Sequence, residues 1–169
     1  LSYHRAVGAR GELFLTDLLL VGQALAINTG LHQLVALATQ RPRPFAYSAR
    51  LDSTRAREAN TYMAFYSGHT ANSFVAATAT SYLFSKRFPR SRWRLPLWTV
   101  THGLAALDGY LRFSAGYHHV TDVVVGAVVG SSIGLLVPVL HELDPIARTV
   151  RVAPMAAAMG AGLAITWTQ

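Results

Sequence analysis

"VVVGAVVGSSIGLLVPVLH" (residues 123–141) contains no Asp, Glu, Lys or Arg. Its length approaches the roughly 20 residues needed to cross a hydrocarbon core about 30 Å thick. Four further windows share that property: Leu18–Gln40, Ser67–Ser85, Leu95–Leu107 and Val152–Gln169. Charged residues make up 14% of the chain, against roughly a quarter in a soluble domain, and they cluster between the windows. A soluble helix shows a charged face every turn or two, and these segments do not. The expected fold is all-α, a polytopic transmembrane bundle of about five helices. The windows are rich in Ala, Gly, Ser and Thr and the mean hydropathy is only +0.28, so a soluble all-helical domain is the competing reading.

Within the quoted stretch Gly126, Gly130 and Gly134 recur every four residues. That spacing forms a small-residue stripe on one helix face and lets a neighbouring helix approach closely in a bilayer. Pro138 predicts a kink and Pro154 a helix start. The 169 residues read as a single domain, 1–169, with no linker or long internal repeat. There is no cysteine, so neither a disulfide nor a thiolate metal site is available. The chain begins at Leu1 without a signal-peptide layout, and an amino-terminal segment is expected to precede it.

Serial helices would put the segments before Leu13, between Ser85 and Leu95 and after His141 on one side. That side holds Arg5, Arg10, Lys86, Arg87, Arg90, Arg92, Arg94, Arg148 and Arg151, the majority of the 15 basic residues. The run "KRFPRSRWR" (86–94) assigns it to the cytoplasm by the positive-inside rule. The other face, with the 41–66 loop and the link at 113–118, would be periplasmic or extracellular in a bacterial inner membrane. Arg41, Arg43, Arg50, Arg55 and Arg57 lie there against the rule, partly balanced by Asp52 and Glu58. The net charge of +7 suits anionic lipid head groups better than nucleic acid in so apolar a chain.

Three polar groups fall on that second face. In "QRPRPF" (40–45), Pro42 and Pro44 stiffen an extended segment carrying Arg41 and Arg43, whose planar guanidinium groups suit phosphate oxygens. In "FYSGHTA" (65–71), Ser67 is placed to cap a helix, and the amides of Gly68 and His69 fall in a first turn that attracts anions. His69 is then a possible proton donor. In "RFSAGYHHVTD" (112–122), His118 and Asp122 are four apart on one helix face. A carboxylate there could hold one ring nitrogen protonated and leave the other as a nucleophile. His119, three from Asp122, competes for that pairing, and an ion pair with Asp108 is the plain alternative for Arg112. His4, His32, His102 and His141 are assigned to packing or the interface, and none to a metal.

Taken together, these groups resemble the motifs of the type 2 phosphatidic acid phosphatase (PAP2) superfamily, in its integral membrane lipid phosphatase branch. The family pattern is K-x6-R-P, P-S-G-H and S-R-x5-H-x3-D. Arg43 and Pro44 match the first motif, Ser67, Gly68 and His69 the second, and Arg112, His118 and Asp122 the third. That register selects His118 over His119. The family's lysine falls on Ala36, its proline on Tyr66 and its third-motif serine on Leu111. Gln33, Gln40 or a loop arginine are the candidates to replace the lysine.

The resemblance implies a six-helix core and metal-independent, cofactor-free hydrolysis of a lipid phosphate, such as phosphatidic acid, or of a lipid diphosphate. In it His118 is the nucleophile, Asp122 orients its ring and His69 protonates the leaving group. Arg43, Ser67, Gly68 and Arg112 bind the phosphoryl oxygens. A phosphotransferase on the same scaffold is one alternative, and a soluble haloperoxidase-like enzyme another. A non-catalytic lipid-phosphate-binding protein, favoured by Ala36, is a third.

Overall fold

The computed structural model describes residues 2–48, 54, 57–143, 150–157 and 160–167. Arg50, Asp52, Arg55 and Arg148 of the topological reading lie outside these residues. Four long helices form the described body: α1 (Ser2–Thr39), α2 (Gly68–Arg87), α3 (Arg94–Ser114) and α4 (Val120–Leu143). At 1.5 Å per residue α1 is roughly 57 Å long and α4 roughly 36 Å. Two single-turn 3-10 helices, Pro44–Tyr47 and Ala59–Tyr62, lie in the link between α1 and α2.

The fifth charge-free window departs from expectation. It contributes to an antiparallel hairpin of β1 (Val150–Ala157) and β2 (Gly160–Trp167), paired from Val150 with Trp167 to Ala157 with Gly160. Absence of charge does not separate a helix from a strand. Val150, Val152, Ile165 and Thr166 are β-branched, and Gly160 and Gly162 each cost a helix about 1 kcal/mol relative to Ala. Pro154 therefore sits in β1 rather than at a helix start, in a two-stranded sheet whose strands are both edges, where a missing N–H is tolerated. The all-helical expectation holds for the described residues up to Leu143.

Among the described residues, two stretches are long and apolar enough to cross a membrane, Leu13–Tyr47 and Val120–Glu142. The first is mostly α1 and the second is in α4. The Ser67–Ser85 and Leu95–Leu107 windows are helical but less apolar, and α2 shows why. It lies against α1, α3 and α4 and buries Thr70, Ala71, Val75, Ala77, Thr78, Ala79, Ser81 and Leu83. A helix sheathed by its neighbours needs small side chains rather than oily ones. The surface is inverted accordingly: Leu19, Leu34, Leu104 and Val128 are each more than 60% exposed, while Asn28, Thr70, Thr78 and Ser81 are buried. That distribution suits hydrocarbon surroundings, where interhelical contacts are built from small and hydroxyl-bearing residues.

The glycine stripe fixes the tightest of these contacts. A Cβ added to Gly126 would lie 2.7 Å from the Ser67 carbonyl oxygen, one on Gly130 would fall on the Ala71 carbonyl, and one on Gly134 would lie 2.7 Å from that of Val75. Both rows advance four residues at a time, so α4 lies along the α2 backbone from the first turn of α2 inward. At one end of the bundle Arg87 pairs with Asp17 at 2.8 Å and Lys86 with Glu142 at 2.9 Å. The C-terminus of α1 and the N-termini of α2 and α4 meet at the opposite end, and all three polar motifs are there.

Candidate active site

Backbone hydrogen bonds tie the three motifs to one another. The Arg43 amide donates to the Thr61 carbonyl and the Ala64 amide to the Arg41 carbonyl, both at 2.9 Å. Phe45 N donates to Gly116 O at 3.3 Å and Ser67 N to Asp122 O at 3.0 Å. Gln40 ends α1 with φ 43°, turning the chain out of the helix as a left-handed residue does and directing Arg41 and Arg43 over the helix ends.

A cavity of about 540 Å³ opens among these segments, with His32, Gln33, Arg43, Gly68, His69 and His118 in its lining. Four of the seven expected site residues therefore share it. The Arg43 guanidinium is fixed by Asn60, donating from Nε to its carbonyl oxygen and from Nη2 to Oδ1, each at 2.7 Å. Tyr117 lies beneath it, 5.6 Å from Cζ to the ring centroid. Gly68 and His69 form the first turn of α2, whose amides have no intrahelical partner, so the cavity meets the positive end of a helix.

Ser67 caps that helix, as expected. Its Oγ lies 2.8 Å from Thr70 Oγ1 and accepts from the Thr70 amide at 3.4 Å. The hydroxyl is buried and turned toward Thr70, and Ser67 is not in the cavity lining. Arg112 is also outside it, 3.6 Å from Asp108 Oδ1 in the i, i+4 ion pair. Asp108 in turn accepts from Ser73 at 3.1 Å.

His118 is 2% exposed, and its partner differs from the one anticipated. Nδ1 lies 2.8 Å from the Ala64 carbonyl oxygen, whereas Asp122 Oδ2 is 3.8 Å away, beyond hydrogen-bond reach. A carbonyl only accepts, so in the neutral ring the proton belongs on Nδ1 and the lone pair on Nε2. The Asp122 carboxylate is already occupied: Arg41 Nη1 donates to Oδ1 at 2.6 Å and the His119 amide to Oδ2 at 2.8 Å. The acceptor facing Nδ1 is thus a backbone oxygen in place of the expected carboxylate. His119 turns away, its Nε2 3.2 Å from the Pro42 carbonyl.

Sequence reasoning missed Ala64, Asn60 and the Asp122 partnership of Arg41. A backbone acceptor has no side-chain signature, and Asn60 belongs to no motif. Arg41 was visible beside Arg43, but nothing in the spacing linked it to a residue 81 positions away.

The PAP2 superfamily model matches residues 17–144, and the chain belongs to that superfamily. The chain is also similar to the crystal structure of a transmembrane PAP2-type phosphatidylglycerolphosphate phosphatase from Bacillus subtilis. The two are 25% identical with a TM-score of 0.56, over 82% of this chain and 66% of that one. The chain thus spans slightly under two thirds of that protein's length. Comparison with curated proteins gave no match. With its apolar helices and inverted surface, the chain is a membrane protein of this superfamily.

Proposed function

We propose that the chain is an integral membrane phosphatase that hydrolyses a lipid phosphomonoester or diphosphate head group through a phosphohistidine, without a metal. The observation that carries this reading is the 2.8 Å contact from His118 Nδ1 to the Ala64 carbonyl, which leaves Nε2 as the lone-pair nitrogen of a cavity-lining histidine. That nitrogen attacks phosphorus; an N–P bond forms as the bond to the ester oxygen breaks. His69, in the same cavity, gives its proton to the departing alkoxide. Water then attacks the phosphohistidine, His69 takes the water's proton, and phosphate leaves.

Arg43 and the first-turn amides of α2 receive the equatorial oxygens, where preorganised donors supply most of the benefit in phosphoryl transfer. Asp122 serves at one remove, holding the start of α4 through Arg41 and the His119 amide. Ser67 caps the helix that presents Gly68 and His69, and Arg112 adds positive charge from behind Asp108. The site lies opposite the Lys86–Arg94 end, so the positive-inside rule aims it at the periplasm or exterior of a bacterial inner membrane. A lipid could then offer its head group while its tail stays in the bilayer.

Phosphate release by detergent-purified protein tests this reading, with phosphatidic acid, phosphatidylglycerophosphate and undecaprenyl diphosphate as substrates and His118→Ala as the control. Turnover by the wild type alone supports it. Absence of release from all three, with lipid phosphate still bound, favours the non-catalytic binding protein that Ala36 suggests.

A further inference from the structure

The scheme above leaves one cavity imidazole unused and one expected cation absent. The position of the family's lysine, Ala36, is fully buried. One turn earlier on the same face of α1, His32 lines the cavity with Arg43, His69 and His118. Its Nδ1 is buried and has no hydrogen-bond partner among the described residues. The other side of the ring lies over the first residue of α2, where a Cβ added to Gly68 would stand 2.8 Å from Nε2. Tyr66 packs edge-on against the ring, with centroids 5.3 Å apart, which fixes its plane.

From this geometry we propose that His32 is a phosphate-binding residue, donating from Nε2 to the phosphoryl oxygen bound at the first turn of α2 and filling the role left open by Ala36. The proposal rests on the reading that the cavity receives a phosphate ester. With Nδ1 enclosed, Nε2 is the nitrogen open to a ligand. It stands over Gly68, whose amide belongs to the unpaired first turn of α2, so an oxygen bound at that helix end comes within reach of the ring. The titratable groups that face the ring are His118, Arg43 and His69, beside the Tyr66 backbone, and none of them is a carboxylate that would compete for its proton. An anion is the partner such a group of donors lacks. A ring that merely filled space would need neither nitrogen, and its replacement by another ring would leave anion binding intact.

Orthovanadate is the probe, because it mimics phosphate and needs no turnover. Its dissociation constant is read from the ligand-induced rise in melting temperature of each protein over its own unliganded value, which separates binding from any loss of stability. Wild type, His32→Phe, His32→Gln and His118→Ala are compared, with KM and kcat measured on whichever lipid is turned over. His32→Phe keeps a ring against Gly68 and is expected to weaken vanadate binding roughly ten- to a hundredfold, the effect of one hydrogen bond to a charged group. His32→Gln restores a donor and most of the affinity. Vanadate binding by His32→Phe equal to wild type would overturn the proposal, as would absence of vanadate binding by the wild type. Failure to hydrolyse any lipid, with vanadate binding still dependent on His32, would reject the phosphatase reading and keep this one.

Discussion

Arg41 Nη1 lies 2.6 Å from Asp122 Oδ1, and the carboxylate it holds is completely buried while the arginine side chain is 36% exposed. The same nitrogen donates to Thr121 Oγ1 at 2.9 Å. The segment that follows α1 is thereby fastened to the first turn of α4. Removing the arginine strands a buried carboxylate, whereas removing the carboxylate frees an arginine that can turn to water. Arg41→Ala is therefore expected to lower stability by about 1–3 kcal/mol and Asp122→Asn by less. The double variant should recover part of the Arg41→Ala loss. Thermal unfolding in detergent measures this, and an Arg41→Ala protein as stable as wild type would show the pair to be inconsequential.

The adjacent histidines separate cleanly in geometry. His118 lines the cavity with its Nδ1 on Ala64, while the His119 ring faces the Pro42 carbonyl. Loss of the nucleophile removes the covalent route, so His118→Ala should lower phosphate release by about a thousandfold or more. His119→Ala keeps the backbone amide that serves Asp122 and should retain most of the activity. Equal losses in the two variants would reject the assignment of His118 as nucleophile.

Anions and chelators offer a second check. Arg43 faces the cavity, and among the described residues no group of three His, Asp or Glu side chains converges to hold a metal. EDTA should leave phosphate release unchanged and vanadate should inhibit it competitively. Activity that vanishes with EDTA and returns with a divalent ion would mean that phosphate is neutralised by metal rather than by these donors.

The bundle and the site were legible in the sequence to different depths. Charge-free windows marked α1 to α4 because hydrocarbon excludes charge wherever a helix faces it, but the same absence in residues 152–169 misled, since a hairpin of small and β-branched residues also lacks charge. The motif spacing placed Arg43, Gly68, His69 and His118 around one cavity. It also put Asp122 on the same helix face as His118, yet could not foretell that Arg41 would occupy the carboxylate. Spacing constrains which side chains share a face and says nothing of competitors arriving from another helix. The acceptor for His118 is a backbone oxygen, and every residue has one.

Tyr66 stands where the family has proline, and its role is readable from its partners. The buried phenol donates to Asn28 Oδ1 at 3.0 Å, and Asn28 Nδ2 donates to Asn72 Oδ1 at 2.7 Å, which connects α1, the approach to α2, and α2 itself. Burial pushes its pKa up from 10.0 to about 12. The folded state then holds the phenolic proton more tightly than the unfolded state. This contribution is fully present below pH 10 and is lost as pH rises toward 12. Tyr66→Phe should lower stability by about 1–2 kcal/mol at neutral pH and flatten the loss of stability between pH 10 and 12. Alkaline unfolding curves of the two proteins supply the measurement, and parallel curves would remove Tyr66 as the titrating group.

Among the glycines of the described bundle from Gly22 to Gly134, Gly130 has the least room, because a Cβ there would fall on the Ala71 carbonyl in the backbone of α2. Backbone cannot rotate aside as a long side chain can, so α2 and α4 must separate to admit even a methyl group. The same contact sets the distance between the first turn of α2, which carries Gly68 and His69, and the start of α4 near His118. Gly130→Ala should therefore reduce kcat together with stability, whereas Gly103→Ala, at a glycine with no neighbour within 4 Å of an added Cβ, should change neither appreciably. A loss of tenfold or so in kcat corresponds to about 1.4 kcal/mol in the barrier, well within what a 1 Å misplacement of catalytic groups produces. Phosphate release and thermal unfolding measured on the same preparations decide the matter. A Gly130→Ala protein with wild-type rate and stability would show that the glycine stripe does not hold the site together.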